Sequence, residues 1–186
     1  MNNFIEEYDL VSPEDCKKII DFFEDRVELQ RDGTVGEKDS VDKKHKDSTD
    51  MHLDFCNSLA INEIILDGLG KALEQYKEKY YYMDTLCPWS IYSSYNLQRY
   101  YPNQGYPAIH QEQGPKGKDA SRMLVWSLYL NDVPDGGTHF HYQRQLVSAK
   151  AGKVILFPAA WTHMHSGQIS PTTTKYIATG WFLYSQ

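Results

Sequence analysis

Five of the seven histidines in this 186-residue chain (His110, His139, His141, His163 and His165) lie in its second half, and two short motifs among them could bind a metal. In His110-Gln111-Glu112 the imidazole and the carboxylate are two residues apart. On an extended strand such positions face the same side, so the two donors would converge. That is half of a site. His163-Met164-His165 offers the same spacing with two imidazoles, and strand geometry alone does not choose between them as a third ligand. Two histidines and one carboxylate on one face of a metal leave about three positions open, a donor set suited to non-haem iron. Taken alone, an HxE pair is weak evidence for a metal and is more often a solvated strand edge.

A lysine adds to the pattern. Lys175 follows His165 by ten residues and opens the run Lys175-Tyr176-Ile177-Ala178-Thr179-Gly180-Trp181. Read as a strand, that run puts Lys175, Ile177, Thr179 and Trp181 on one face. An ammonium turned into a protein interior without a partner costs several kcal/mol at least, so an inward Lys175 implies an anion beside it, from the protein or from a ligand.

These residues need a frame to hold them. Ser12-Pro13-Glu14-Asp15 supplies a capping hydroxyl, a proline at the first helical position and acids in the first turn. Cys16, Ile19, Ile20 and Phe23 follow at helical spacing, which predicts a helix over 13–24. Ile61, Ile64, Ile65, Leu69, Ala72, Leu73 and Tyr76 predict a second over 62–80. Residues 31–50, nearly all charged, Gly, Ser or Thr, read as a solvated, mobile loop. From Trp89 onward short runs of Tyr, Val, Ile, Leu and Trp alternate with turn residues. They predict strands over 95–100, 108–111, 123–130, 139–143, 145–148, 154–157 and 176–184, with Asp135-Gly136-Gly137 as a turn. The fold class is therefore α+β and mainly β, a sandwich or jelly roll with N-terminal helices packed on one sheet. The expected organisation is one domain over 1–186, with a helical part over 1–88 and a β core over 89–186.

Composition narrows the function classes. A net charge of −6 with no concentrated basic face disfavours nucleic acid as a partner. No apolar run approaches a membrane span, and the opening Met1-Asn2-Asn3-Phe4-Ile5-Glu6-Glu7 lacks the features of a signal peptide, so a cytoplasmic location is expected. Three cysteines without CxxC spacing (Cys16, Cys56, Cys87) read as small core residues rather than a disulfide framework. His45 and His52 read as surface residues, and His139 and His141 as rim or substrate-contact residues rather than ligands. Tyr80-Tyr81-Tyr82 reads as a helix end packed on the sheet, although an aromatic surface could also hold a peptide.

Several motifs in order resemble the prolyl 4-hydroxylase-like branch of the Fe(II)- and 2-oxoglutarate-dependent oxygenases, including small forms from bacteria and phages. They run from Gln98-Arg99-Tyr100 and Gly105-Tyr106 through His110-Gln111-Glu112, Arg122, Tyr129-Leu130-Asn131-Asp132-Val133 and Gly136-Gly137-Thr138-His139-Phe140. Ala149-Lys150-Ala151-Gly152, Phe157-Pro158, His165, Lys175 and Gly180-Trp181 complete the series, and the opening Phe4-Ile5 with Ser12-Pro13-Glu14-Asp15-Cys16 looks like the family's first helix.

The resemblance implies a double-stranded β-helix, the cupin-like jelly roll. It also implies that His110, Glu112 and His165 bind Fe(II), since His165 rather than His163 has the family's ten-residue spacing to Lys175. Lys175 would pair with the distal carboxylate of 2-oxoglutarate, helped by Tyr100 and Thr138, with Trp181 walling the pocket. Tyr101 is an alternative to Tyr100, because the segment between Tyr100 and His110 is one residue longer than in animal and plant hydroxylases. Glu112 stands where the family usually has aspartate, though some oxygenases of the superfamily use HxE.

The implied activity is hydroxylation of a C–H bond with dioxygen and decarboxylation of 2-oxoglutarate to succinate, with ascorbate as reductant. A prolyl residue of a peptide or protein is the implied substrate, and the 31–50 loop with residues 114–119 could form a lid over it. The alternatives are an oxygenase acting on a small metabolite and a non-catalytic, metal-binding cupin-like module. A phage-encoded form would work in its host's cytoplasm.

Overall fold

The helix expected over 13–24 forms over those residues as α1 (Pro13–Glu24). The Ser12 hydroxyl accepts the Asp15 N–H at 3.0 Å, and Cys16, Ile19 and Phe23 turn inward. The second, α2 (Ala60–Lys79), starts two residues before the expected 62 and buries Ile61, Ile65, Leu69, Ala72 and Tyr76 at steps of three and four. These facts come from a computed structural model that describes residues 2–36, 40–85 and 87–185. No described helix is long and apolar enough to cross a membrane.

The strands are β1 (Glu6–Asp9), β2 (Gln30–Asp32), β3 (Thr49–Asp54), β4 (Trp89–Ile91), β5 (Ser94–Tyr100), β6 (Arg122–Tyr129), β7 (Val133–Phe140), β8 (Gln145–Ala149), β9 (Lys153–Pro158), β10 (His165–Gly167) and β11 (Lys175–Tyr184). All their pairings are antiparallel. The larger sheet runs β1-β9-β6-β11-β5-β3-β2, with β4 paired to the far end of β11, and the smaller runs β10-β7-β8. A short helix, α3 (Gly117–Ala120), precedes β6.

Alternation along β11 sends its two faces to different cores. Ala178 and Phe182 join Leu97, Trp126, Leu128 and Leu156 beneath the helices. On the other side Val125, Tyr129, Phe140, Val147, Ile155 and Phe157 fill the space between the sheets, with Ile177 and Trp181 packed against them. Two facing antiparallel sheets with helices outside the larger one make a jelly roll.

The structure corrects several expectations. The first third of the chain supplies strands as well as helices. β3 carries the alternation Met51 in, His52 out, Leu53 in, while β1 is a charged edge strand with no apolar pattern to reveal it. The segment 31–50 is not simply solvated: its ends lie in β2 and β3, and Lys46 and Ser48 are buried. Residues 37–39 of it lie outside the described residues.

No strand forms over 108–111. His110 makes one isolated backbone pair with His165, after which the N–H groups of Glu112 and Gln113 both turn to the Ala159 carbonyl. The strand expected over 139–143 ends at Phe140, because residues 141–144 turn with Arg144 at φ 52°. It also starts earlier, so Asp135-Gly136-Gly137 is strand rather than turn. Of the cysteines, Cys16 is buried, whereas Cys56 and Cys87 are exposed.

Candidate active site

Two stretches of the chain deliver three donor atoms to one point. His110 lies on the segment leading out of the chain's fifth strand, Glu112 follows where that segment bends to Ala159, and His165 opens β10. His110 and His165 are locked backbone to backbone, the N–H of each donating to the carbonyl of the other at 3.0 and 2.9 Å. The potential ligand atoms of His110, Glu112 and His165 lie within 4.8 Å of one another. Each imidazole has its Nδ1 within hydrogen-bond distance of a main-chain carbonyl, Ala108 at 2.8 Å for His110 and His163 at 2.9 Å for His165. That contact fixes Nδ1 as the protonated nitrogen and leaves Nε2 with its lone pair free, the tautomer a metal needs. Both Nε2 atoms face Glu112 Oε1, each at 3.5 Å.

The ring planes are fixed as well. Tyr106 stacks on His110 with centroids 3.9 Å apart and planes 10° apart, and Phe157 meets His165 edge-on at 4.9 Å. Burial of Glu112 raises its pKa, but hydrogen bonds and positive charge from His110 and His165 in their protonated form overcome this and hold its carboxyl well below the usual carboxylate range. A divalent cation would take the place of those protons on the neutral rings. An ionised carboxylate beside two oriented imidazoles fits a divalent cation bound by nitrogen and oxygen.

The triad lies in the wall of a cavity of about 820 Å³ between the sheets, lined also by Tyr100, Thr138, Lys175 and Trp181. β11 contributes Lys175, Ile177, Thr179 and Trp181, the face read from its period of two. Lys175 is 5% exposed. Its ammonium donates to the carbonyls of Gly136 and Gln168 at 3.0 and 3.1 Å and lies 5.0 Å from the centre of the Tyr100 ring. No carboxylate among the described residues pairs with it, and burial pushes its pKa down to about 8. The anion that an inward lysine implies is thus not supplied by the described protein groups.

Tyr100 sits opposite Lys175 in the β5–β11 register and is 3% exposed, whereas Tyr101 is 46% exposed with the Arg99 guanidinium 4.3 Å from its ring centre. The Tyr100 hydroxyl donates to Gln98 Oε1 at 2.9 Å. Thr138 shares a 2.6 Å hydrogen bond with Tyr129.

His163 does not share a strand face with His165. It closes a 3-10 turn (Trp161–His163), with Nε2 2.8 Å from the Asn3 carbonyl and Nδ1 2.9 Å from the Thr162 hydroxyl, so both its nitrogens are engaged away from the triad. His139 and His141 pack against each other, centroids 4.4 Å apart, and do not line the cavity. His45 and His52 are exposed, although His52 reaches the cavity rim. Sequence reasoning missed Tyr129 and Gln98 as cavity residues. Strand parity could have found both: Gln98 and Tyr100 share a face of β5, and Ser127 and Tyr129 share one of β6.

Residues 95–183 match the family model of the 2OG-Fe(II) oxygenase superfamily. No curated protein matches the chain by sequence. Among solved structures, the chain is similar to the viral collagen prolyl hydroxylase of Paramecium bursaria Chlorella virus-1 in its 2OG complex, at 18% identity over 98% of this chain and 97% of that one, with a TM-score of 0.72. It is similar to a Pseudomonas putida prolyl-4-hydroxylase at 13% identity, 100% and 95% coverage and a TM-score of 0.73. It is also similar to a Trichoplax adhaerens prolyl hydroxylase in complex with a hypoxia inducible factor peptide, at 13% identity, 98% and 84% coverage and a TM-score of 0.73.

Over residues 95–183 the chain matches the 2OG-Fe(II) oxygenase superfamily, and it is a 2-oxoglutarate-dependent dioxygenase, a class whose reaction uses Fe(II), 2-oxoglutarate and dioxygen. Its fold is the one that the prolyl 4-hydroxylases of that class share.

Proposed function

We propose that His110, Glu112 and His165 hold the iron, that Lys175 receives the distal carboxylate of 2-oxoglutarate with Tyr100 and Thr138 beside it, and that the enzyme hydroxylates a prolyl residue of a peptide or protein. The observation that carries this reading is the pairing, in one cavity, of three converging ligand atoms with a buried lysine that has no carboxylate partner among the described residues. Bound Fe(II) would supply the redox chemistry that couples decarboxylation of 2-oxoglutarate to oxygen insertion into a C–H bond.

The protein's own part is placement and exclusion. The main-chain carbonyls of Ala108 and His163 hold both imidazoles with Nε2 toward the iron position. Ile155, Phe157 and Ile177 keep the cavity wall around them apolar. Lysine acts as a point charge, and its two carbonyl acceptors hold its ammonium in one place. Ascorbate is the proposed reductant.

A prolyl substrate is supported by the likeness in fold to prolyl hydroxylases, one of them solved with a peptide. A small polar metabolite is the second reading, favoured by one observation: Ser94, Asn96 and Gln98 of β5 and Asp50 of β3 give part of the cavity wall hydrogen-bonding side chains. Incubating proline-rich peptide pools with enzyme, iron, ascorbate and 2-oxoglutarate separates the two. The peptide reading expects products heavier by one oxygen, seen by mass spectrometry together with succinate. Succinate without modified peptide would favour the small molecule.

A further inference from the structure

The carboxylate of the triad is a glutamate, one methylene longer than aspartate, and so has one more torsion to fix before it can present an oxygen to a metal. The structure surrounds it with groups that fix it. Trp181 Nε1–H donates to Glu112 Oε2 at 3.0 Å. Arg122 Nη1 lies 3.5 Å from the same oxygen and donates to the Glu112 main-chain carbonyl at 2.8 Å. The guanidinium carbon stands 3.8 Å from the centre of the Trp181 indole, and the other end of the guanidinium pairs with Asp119 at 2.9 Å.

The two carboxylate oxygens are thereby given separate tasks. Oε2 is occupied by the indole and faces Arg122. Oε1 faces the two free imidazole nitrogens. Carboxylates that bind metals are themselves oriented by hydrogen bonds, and loss of such a partner typically weakens metal binding by about 10- to 100-fold.

We propose that Trp181, locked in plane by Arg122, is a positioning residue that dedicates Glu112 Oε1 to the metal, so that this pair lets a glutamate serve where the extra methylene would otherwise leave the ligand loose. The inference rests on the metal reading above. It gives the indole N–H a task distinct from the wall that the resemblance implies for Trp181.

The test is Trp181→Phe, which keeps an aromatic ring under Arg122 but removes the N–H. Mn(II) affinity is measured by titration calorimetry without 2-oxoglutarate, and the Co(II) absorption spectrum of each loaded protein reports coordination geometry. The expected result is a dissociation constant for Mn(II) raised about tenfold or more with an altered Co(II) spectrum. The losses from Trp181→Phe and Glu112→Asp should also fail to add, since the shorter carboxylate no longer reaches the indole.

Unchanged Mn(II) affinity and Co(II) spectrum, with weakened 2-oxoglutarate binding, would overturn the proposal and leave Trp181 a wall. Should Trp181→Phe not fold, Arg122→Lys removes the stacked guanidinium and must weaken Mn(II) binding in the same sense; unchanged affinity there overturns the proposal as well. A failure of the underlying metal reading looks different: the wild-type protein would bind no Mn(II), or would bind it equally after His165→Ala, and the proposal would fall with it.

Discussion

Lys175 carries its charge where burial opposes it, and this sets two pH dependences of opposite sense. Its pKa is lowered from 10.5 to about 8 in the folded protein. Below pH 8 the ammonium is charged in both folded and unfolded chains, and the folded state bears the full desolvation penalty. Between pH 8 and 10.5 the folded protein binds fewer protons than the unfolded one, so its stability rises with pH relative to a Lys175→Met variant. Binding of an anionic co-substrate runs the other way, because it needs the charged form. Affinity for 2-oxoglutarate is expected to fall about tenfold from pH 7 to pH 9, and Lys175→Arg should flatten that dependence, since guanidinium stays charged throughout. Calorimetric titration across that range checks it.

The two histidines flanking Met164 give the second residue-scale expectation. His165→Ala should abolish metal-dependent decarboxylation of 2-oxoglutarate. His163→Ala should keep a measurable rate while losing roughly 1–3 kcal/mol of stability, because it strips the Asn3 carbonyl of its buried partner. Succinate assays and urea unfolding of both variants read the difference.

At the scale of elements, the chain announced some parts of itself clearly and others not at all. α1 was legible because Ser12 and Pro13 cap it locally, and β11 because its side chains alternate without interruption. His110 and Glu112 were legible as a pair, though not as a strand: what brings them to His165 is a single backbone bridge and a bend toward Ala159, neither of which leaves a periodic trace. His163 and His165 look alike in sequence. They part because the chain leaves a 3-10 turn at Met164 and enters β10 only at His165, and β10 is three residues long, too short to carry a pattern. β1 was hidden for a different reason, since its charged residues belong to an edge and its pairing partner lies nearly 150 residues away.

The join between α1 and the sheet carries the third expectation. Gly152 has φ 81°, and the Val11 main chain passes so close to its Cα that a Cβ at Gly152 would come 1.8 Å from the Val11 carbonyl oxygen. The same glycine carbonyl accepts the N–H groups of Leu10 and Val11, both at 3.1 Å. Gly152→Ala is therefore expected to cost more than about 1–2 kcal/mol in urea unfolding, through both the left-handed backbone and the clash, and to leave the geometry of the His110–Glu112–His165 triad intact.

In the whole molecule the larger sheet serves two cores at once, so its position fixes both the helices outside and the cavity inside. β11 is the hinge of that arrangement: it pairs with β6 along one edge and with β5 and β4 along the other, and no other strand among the described residues joins β1-β9-β6 to β5-β3-β2. It also follows every other strand in the sequence. On a ribosome, therefore, the ten earlier strands emerge before the one that unites them, and the growing chain holds two half-sheets with facing open edges and an incomplete cavity. Lys175 and Trp181 arrive together with the closing strand. Assembly of the sheet and completion of the cavity are then a single late event, non-local in sequence and slow by topology, during which the unpaired edges of β5 and β6 are the surfaces a nascent chain most needs shielded from its neighbours.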